Sequence, residues 1–177
     1  RRGSGTYVVS TTPMDLDPLG LGAVEDKMAL AMDLVNVRMI LEPGIAEMAA
    51  MNATARDVER LRELCAVIEQ KIETGDIAFH TAVAKCSGNM VVEQLVPIID
   101  TAVMMFVNVT HRKLTQETIM THRAVTDAIA ERDPMGAKSA MMMHMTFNRN
   151  MIKEMIKNKE ISLLPFSVTS MLPSILN

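Results

Sequence analysis

Four residues of the sequence combine the chemistry of metal ligands with a regular spacing. Asp76 and His80 lie four residues apart in "TGDIAFHTAVAKCSGNM", which places a carboxylate and an imidazole on one face of a helix. His122 and His144 lie in two later helical segments, and His144 is surrounded by methionines. A neutral histidine among apolar side chains is costly unless both ring nitrogens have partners. A shared cation, with an acceptor behind each ring, would provide those partners.

The donor set suits a divalent transition metal. Three imidazoles and one carboxylate are typical of Zn²⁺, the first expectation here, and Ni²⁺, Mn²⁺ or Fe²⁺ also fit. Because the set lacks the thiolates of a closed structural zinc site, positions should remain for water or a ligand. A buried polar network without metal is the alternative, since the same spacing occurs in simple helix contacts. His111, in the polar stretch "THRKLTQE", is predicted to belong to a solvated loop.

Length, charge and cysteine usage favour one intracellular domain. The 177 residues are enough for one core, and 49 % hydrophobic with 22 % charged residues is ordinary for a globular protein. A formal net charge of −3 provides no overall basic surface for nucleic acid. Cys65 and Cys86, in apolar segments without a CxxC pair, are expected to be buried thiols of a reducing compartment. Without an apolar run of about 18 residues or a leader pattern, we expect a cytoplasmic protein and no membrane partner.

The segments that must position the four residues are helical. Apolar residues recur at three- and four-residue steps from residue 24 onward, and no strand alternation of any length follows residue 10. Thr54, with Asp57 three residues on, and Asp133 are the expected N-caps, and Gly88–Asn89 is the expected stop. The predicted helices span 24–51 with a break near Pro43–Gly44, 54–73, 76–87, a central and buried 90–109, 116–131, and 134–158. The pattern predicts an all-α bundle of about six helices.

The two ends of the chain do not share this pattern. Residues 1–10, "RRGSGTYVVS", have the turn glycines and the Thr-Tyr-Val-Val run expected at the end of a hairpin strand. Residues 11–23 contain two prolines and two glycines and are predicted to form a linker to a helical domain at 24–158. The tail, residues 159–177, is apolar, contains two prolines and has no clear helical order.

Three stretches resemble the successive motifs of a family of bacterial regulators. They are "RMILEPGIAEMAA" at 38–50, "DIAFHTAVAKCSGN" at 76–89 and "THRAVTDAIAERDPMGAKSAMMMHM" at 121–145. These stretches look like the FCD effector-binding domain of GntR-family transcription regulators, FadR-like subfamily, over residues 25 to about 152. "RRGSGTYVV" is similar to the end of the winged helix-turn-helix domain of such regulators, where a glycine-rich wing lies at the DNA.

The resemblance implies a fold and a metal site. The family fold is an antiparallel bundle of six to seven helices, and its metal-containing members hold a divalent ion with one aspartate and three histidines. Carried over by motif, the ligands are Asp76, His80, His122 and His144. The connection "KIETG" before Asp76 and the stretch between Asn108 and His122 are short for the family, which leaves the local geometry open.

The resemblance also implies an effector and contacts with DNA. Family members sense small carboxylates such as lactate, glycolate, sugar acids or dicarboxylates, and Arg38 and Asn89 are the positions expected to contact the effector. Arginine suits a carboxylate because its planar group donates two parallel hydrogen bonds, although an ion pair with Glu42 is the alternative for Arg38. The residues expected at the DNA, by likeness to the wing, are Arg1, Arg2, Gly3 and Gly5.

The features together predict a metabolite-responsive regulatory domain, not an enzyme. Binding of a divalent metal and a small organic acid would control, allosterically, how a homodimer binds operator DNA through a domain of which residues 1–10 are a remnant. A metal-dependent enzyme is one alternative, because open His and Asp sites also activate water, although no spare carboxylate lies in an apolar motif to act as a base. A purely structural metal site is the other.

Overall fold

The computed structural model describes residues 20–68, 72–110 and 115–158, and within these ranges it contains helices and no strand. A short 3-10 helix, Leu21–Ala23, precedes six α-helices. These are α1 (Lys27–Asn52), α2 (Ala55–Ile68), α3 (Ile72–Cys86), α4 (Met90–Thr110), α5 (Thr115–Ala130) and α6 (Pro134–Asn158). All six α-helices belong to one compact unit. The predicted all-α fold is therefore confirmed.

The centre of the bundle is α1, which packs most extensively on α6 and also contacts α3, α4 and α5. α2 packs on α3 and α5, and α3 packs on α4. α5 and α6 pack on each other across a three-residue connection, as neighbouring antiparallel helices do. The helices α3, α5 and α6, which carry the predicted ligands, are therefore held around α1.

The break predicted at Pro43–Gly44 is wrong, because α1 is continuous from Lys27 to Asn52. Proline lacks the N–H that would bond the carbonyl four residues earlier, so the helix loses one hydrogen bond there. Pro43 is nevertheless buried, and small residues that follow it, Ala46 and Ala49, are fully buried in the bundle. Tertiary packing therefore outweighs the tendency of proline and glycine to break a helix. Arg38 and Glu42 consequently lie one turn apart on the same helix.

The connection before Asp76 is also different from the prediction. α3 begins at Ile72, so "IETG" forms its first turn and Asp76 lies inside the helix, not at its start. The predicted second helix extends to residue 73, whereas α2 ends at Ile68 and residues 69–71 lie outside the described ranges. Gly75, which the prediction places before the helix, is buried within α3.

The caps predicted at Thr54, Gly88 and Asp133 are confirmed. Thr54 Oγ1 accepts from the Asp57 backbone N–H at 3.3 Å, and the Asp57 carboxylate accepts from the Thr54 N–H at 2.8 Å. Gly88 ends α3 with φ +64°, a conformation that glycine adopts without steric cost. Asp133 accepts from the Gly136 N–H at 2.9 Å, just before α6.

The central and buried position predicted for the fourth helix is wrong. α4 buries one face, which includes Ile99, Val103 and Phe106, while Met90 and Val91 at its start are 82 % and 69 % exposed. Among the described helices, α4 is the one that length and composition would allow to cross a membrane, a test that core helices of globular proteins also meet. The central position belongs to α1 instead.

Several predictions fall on residues outside the described ranges. They concern the wing remnant with Arg1, Arg2, Gly3 and Gly5, most of the linker, the loop assignment of His111, and the tail 159–177. Cys65 and Cys86 are described, and both are buried, as predicted.

Candidate metal and effector site

The four predicted ligands come together in the interior of the bundle. α3 supplies Asp76 and His80, α5 supplies His122, and α6 supplies His144. All four side chains are buried, and one potential ligand atom from each lies within 4.8 Å of the others. Since three helices contribute, the cluster depends on the packing of the whole bundle.

An aromatic side chain holds the ring of His122 in place. Phe79, fully buried on α3, stacks on His122 with ring centroids 3.9 Å apart and an interplanar angle of 11°. The ring of His80 lies edge-on to both Phe79 and His122, with centroids 5.9 Å and 5.1 Å away. The rings therefore have fixed orientations before any ligand is considered.

His80 lies between an acceptor and two other polar groups. Its Nδ1 contacts the carboxylate of Glu42 on α1, which also contacts Arg38 Nε. Its Nε2 lies 3.0 Å from Arg38 Nη2 and 3.7 Å from Asp76 Oδ1. Because a guanidinium can only donate a hydrogen bond, the lone pair of the ring is on Nε2, which faces the cluster.

His144 has the same arrangement with neutral partners. Its Nδ1 lies 2.8 Å from Thr121 Oγ1, and that hydroxyl donates to the Glu117 carbonyl at 2.7 Å. The Thr121 oxygen therefore accepts from Nδ1–H, which leaves the lone pair on Nε2. Asn148 Nδ2, 3.2 Å from Nε2, donates to that lone pair.

Asp76 and His122 contain polar atoms without hydrogen bonds. Within the described part of the chain, Asp76 Oδ1 and both ring nitrogens of His122 are buried and make none, although His122 Nε2 lies 3.3 Å from Asp76 Oδ1. Buried polar atoms are normally satisfied, because leaving one unpaired costs about 1–3 kcal/mol. A cation between these atoms would satisfy them.

Burial and charge control the protonation of the cluster. Burial lowers the pKa of both His122 and His144 well below the ordinary value, and the positive charge of Arg38 lowers it further. Burial raises the pKa of Asp76, against the opposing charge of Arg38. Burial alone would raise the pKa of Glu42, but Arg38 and His80 lower it well below its usual range. Neutral imidazoles are the form that coordinates metals.

The residues present therefore fit a divalent ion. The donor set consists of one carboxylate and neutral imidazoles. The Nδ1 atoms of His80 and His144, which face away from the cluster, contact Glu42 and Thr121. The unpaired atoms of Asp76 and His122 face the same small volume. Such a set can coordinate a borderline metal and leave positions for a further ligand.

The two predicted effector contacts differ in position. Arg38 is 2 % exposed, bonds both Glu42 and His80, and so reaches the cluster, while the ion pair weighed as its alternative is also present. Asn89 is exposed, and its Oδ1 accepts from Val91 N at 2.9 Å and Val92 N at 3.4 Å, which caps α4. The structure does not bring Asn89 into the buried cluster, and its effector contact stays a prediction that the cap weakens.

Sequence reasoning missed three partners of the ring nitrogens. It indicates Glu42 only as a partner of Arg38 and gives no role to Thr121 or Asn148. Asn148 lies four residues after His144 on the same helix, so helical spacing offers a weak signal for this pair. Thr121 contacts His144 from another helix, and spacing gives no signal for it. The contact of Glu42 with His80 joins two helices and has no local signal.

The comparisons with known proteins agree with these motifs. The sequence profile of the FCD domain family matches residues 33–147. The "Putative L-lactate dehydrogenase operon regulatory protein" of Escherichia coli (strain K12) is 30 % identical over 86 % of this chain, and the "Uxu operon transcriptional regulator" of the same strain is 26 % identical over 82 %. The chain spans 65 % and 62 % of the lengths of these two regulators.

A solved structure gives the same result. "Streptococcus agalactiae GntR" superposes with a TM-score of 0.66 at 33 % sequence identity, over 85 % of this chain and 72 % of that one. The relatives named above are transcription regulators, as the motifs predicted. The chain therefore belongs to the FCD domain family of GntR-type transcription regulators.

Proposed function

We propose that this chain is the sensing domain of a bacterial transcription regulator and binds a divalent metal together with a small organic acid. Asp76, His80, His122 and His144 would hold the ion, with Zn²⁺ first and Ni²⁺, Mn²⁺ or Fe²⁺ as alternatives. The observation that carries the proposal is the buried cluster itself, in which Asp76 Oδ1 and the His122 nitrogens lack hydrogen bonds from described residues. The ion would supply a positive centre for an anionic ligand.

A carboxylate is the ligand class that the surroundings of the cluster favour. Arg38 is buried, and its Nη1 has no hydrogen bond to any residue in the described ranges. Its guanidinium can donate two parallel hydrogen bonds to a carboxylate. One relative is named for an L-lactate dehydrogenase operon, and that name supports small hydroxy acids as the first compounds to test, beside sugar acids and dicarboxylates.

The regulatory step would follow from occupancy of this site. The domain would act in a cytoplasmic homodimer that binds operator DNA through winged helix-turn-helix domains, with Arg1, Arg2, Gly3 and Gly5 in the wing. The ligand shifts operator affinity only by binding one arrangement of the dimer better than the other, typically by about 1–3 kcal/mol. An expected contribution of Asn89 to effector binding is part of the same proposal.

Metal content of the purified chain tests the proposal. We expect about one divalent ion per chain by elemental mass spectrometry after dialysis without chelator. Asp76→Asn keeps the shape of the side chain but removes the charged ligand, so this variant should lose most of the ion. Asp127→Asn, at an exposed position of α5, is the matched control and should keep it.

The same protein then distinguishes a sensor from the alternatives. Lactate, glycolate, gluconate and succinate should be screened by thermal shift on the metal-loaded chain, with at least one raising the melting temperature. Recovery of a chemically changed acid would indicate an enzyme. Unfolding on metal removal, with no acid altering stability, would indicate a structural ion.

A further inference from the structure

Arg38 holds the nitrogen of His80 that faces the cluster. The Glu42 carboxylate contacts both Arg38 Nε and His80 Nδ1. Arg38 Nη2 lies 3.0 Å from His80 Nε2, and because a guanidinium can only donate, the lone pair of the ring is on Nε2. One ring lone pair either accepts a hydrogen bond or coordinates an ion, and it cannot do both at once.

We propose that Arg38 competes with the metal ion for His80 Nε2, so that the ion binds only when Arg38 withdraws Nη2. The inference rests on the proposed function, because it concerns the same site. Arg38 stays anchored through Nε on Glu42 while Nη2 moves, since the two contacts use different nitrogens. Glu42 is then a positioning residue for both His80 and Arg38.

Asn148 is the other residue that donates a hydrogen bond to a ring nitrogen facing the cluster, and it differs from Arg38 in charge. Asn148 Nδ2 donates to His144 Nε2 at 3.2 Å, but an amide is neutral and its bond is weaker than that of a guanidinium. Arg38 places a full positive charge at the donor set, and its Nη1 lacks a hydrogen bond from the described residues. Competition with a cation is therefore expected chiefly at His80.

The competition links the two ligands of the site. A carboxylate that accepted hydrogen bonds from Nη1 and Nη2 of Arg38 would draw Nη2 from His80 and so raise metal affinity. By thermodynamic reciprocity, the ion would raise the affinity for the carboxylate by the same factor. Arg38 would thus make metal and acid bind cooperatively without any movement of a helix.

The affinity of the chain for Zn²⁺ in the absence of any acid is the decisive measurement. A chromophoric chelator competes for Zn²⁺ with wild type and with Arg38→Met, and helical content is checked by circular dichroism. The variant should bind Zn²⁺ roughly tenfold more tightly, because a charged donor no longer occupies Nε2. Arg60→Met removes the same charge at an exposed site of α2 and should leave the affinity unchanged.

Arg38→Lys separates competition from simple charge repulsion. Lysine keeps the positive charge for Glu42 but lacks a second nitrogen to reach His80 while it stays on that carboxylate. We expect an affinity for Zn²⁺ between those of wild type and Arg38→Met. If Arg38→Met does not fold, Arg38→Lys tests the inference alone. The inference then requires that Arg38→Lys bind Zn²⁺ more tightly than wild type.

Three results would overturn the inference. Equal or weaker Zn²⁺ binding by the folded Arg38 variants, with wild type binding Zn²⁺, removes the competition and leaves the proposed metal site intact. An equal gain in Arg60→Met would show a general charge effect. If neither wild type nor the variants take up Zn²⁺, the proposed function fails together with the inference.

Discussion

Charged residues at helical spacing behave differently on α2 and on α1. Arg60 and Glu63 on α2 form an ion pair at 3.0 Å with both side chains more than half exposed, so water screens the pair. Arg38 and Glu42 on α1 form a pair that is almost completely buried, and His80 joins it from α3. Burying charges costs free energy that a surface pair does not cost.

The largest expected difference between the two regions is the effect of removing the carboxylate. Glu42→Ala leaves Arg38 buried without its counter-charge and should lower the free energy of unfolding by about 3–5 kcal/mol. Glu63→Ala should change it by less than about 1 kcal/mol. Urea unfolding of both chelator-treated variants gives the comparison. Similar losses for the two would mean that burial does not determine the strength of these pairs.

A smaller difference is expected in the response to pH. The pKa values of His122 and His144 are lowered, so below about pH 6.5 the unfolded chain takes up protons that the folded chain does not. The free energy of unfolding should therefore fall as pH decreases from 7 to 5, by up to about 1.4 kcal/mol per pH unit for each histidine. Glu42 stays ionised throughout this window because its pKa is lowered. The raised pKa of Asp76 has the opposite effect, because the folded chain takes up that proton more readily and the free energy of unfolding rises as pH decreases.

The pH response is measured by urea unfolding of chelator-treated protein at several pH values. His122→Gln removes one titrating ring and should reduce the slope by about half, if Asp76 is unchanged. A pH-independent free energy of unfolding between pH 7 and 5 would contradict the neutral state of these histidines.

The smallest expected effect belongs to the start of α2, where an exposed polar contact matters because it satisfies backbone groups. Thr54→Ala removes the side-chain oxygen that accepts from Asp57 N–H and should lower the free energy of unfolding by about 1 kcal/mol. Thr54→Ser keeps the hydroxyl and serves as the control. Thermal unfolding of the two variants checks the prediction, which fails if alanine and serine behave alike.

The four residues of the cluster could be predicted because their signals are local, while their hydrogen-bond partners could not. Asp76 and His80 share a helix and a motif, and the motifs at 121–145 include His122 and His144. The contact of Glu42 with His80 depends on how α1 packs on α3, which no spacing within either helix reveals. The motif of Asn89 predicts an effector contact, whereas in the structure Asn89 caps α4, a use that asparagine favours at helix starts.

The errors in the fold have a common cause. Pro43 and Gly75 are breakers by local propensity, yet both are buried inside helices because tertiary packing outweighs about 1–3 kcal/mol of propensity. The apolar composition of the fourth helix predicts a central position, but its exposed Met90 and Val91 show that composition does not determine position. Caps at Thr54 and Asp133 were predicted correctly because they depend on neighbouring residues alone.

The pairing of α1 with α6, the first and last α-helices described, has a consequence for synthesis on the ribosome. The central helix is translated first but lacks its main packing partner until the segment after Pro134 has emerged. His144 and its partner Asn148 arrive with that segment, so a nascent chain that stops before it has only part of the cluster. Translation at about 5–20 residues per second leaves the ribosome-bound chain without a complete cluster for several seconds. On the proposed function, ion and acid would bind only after α6 has packed on α1.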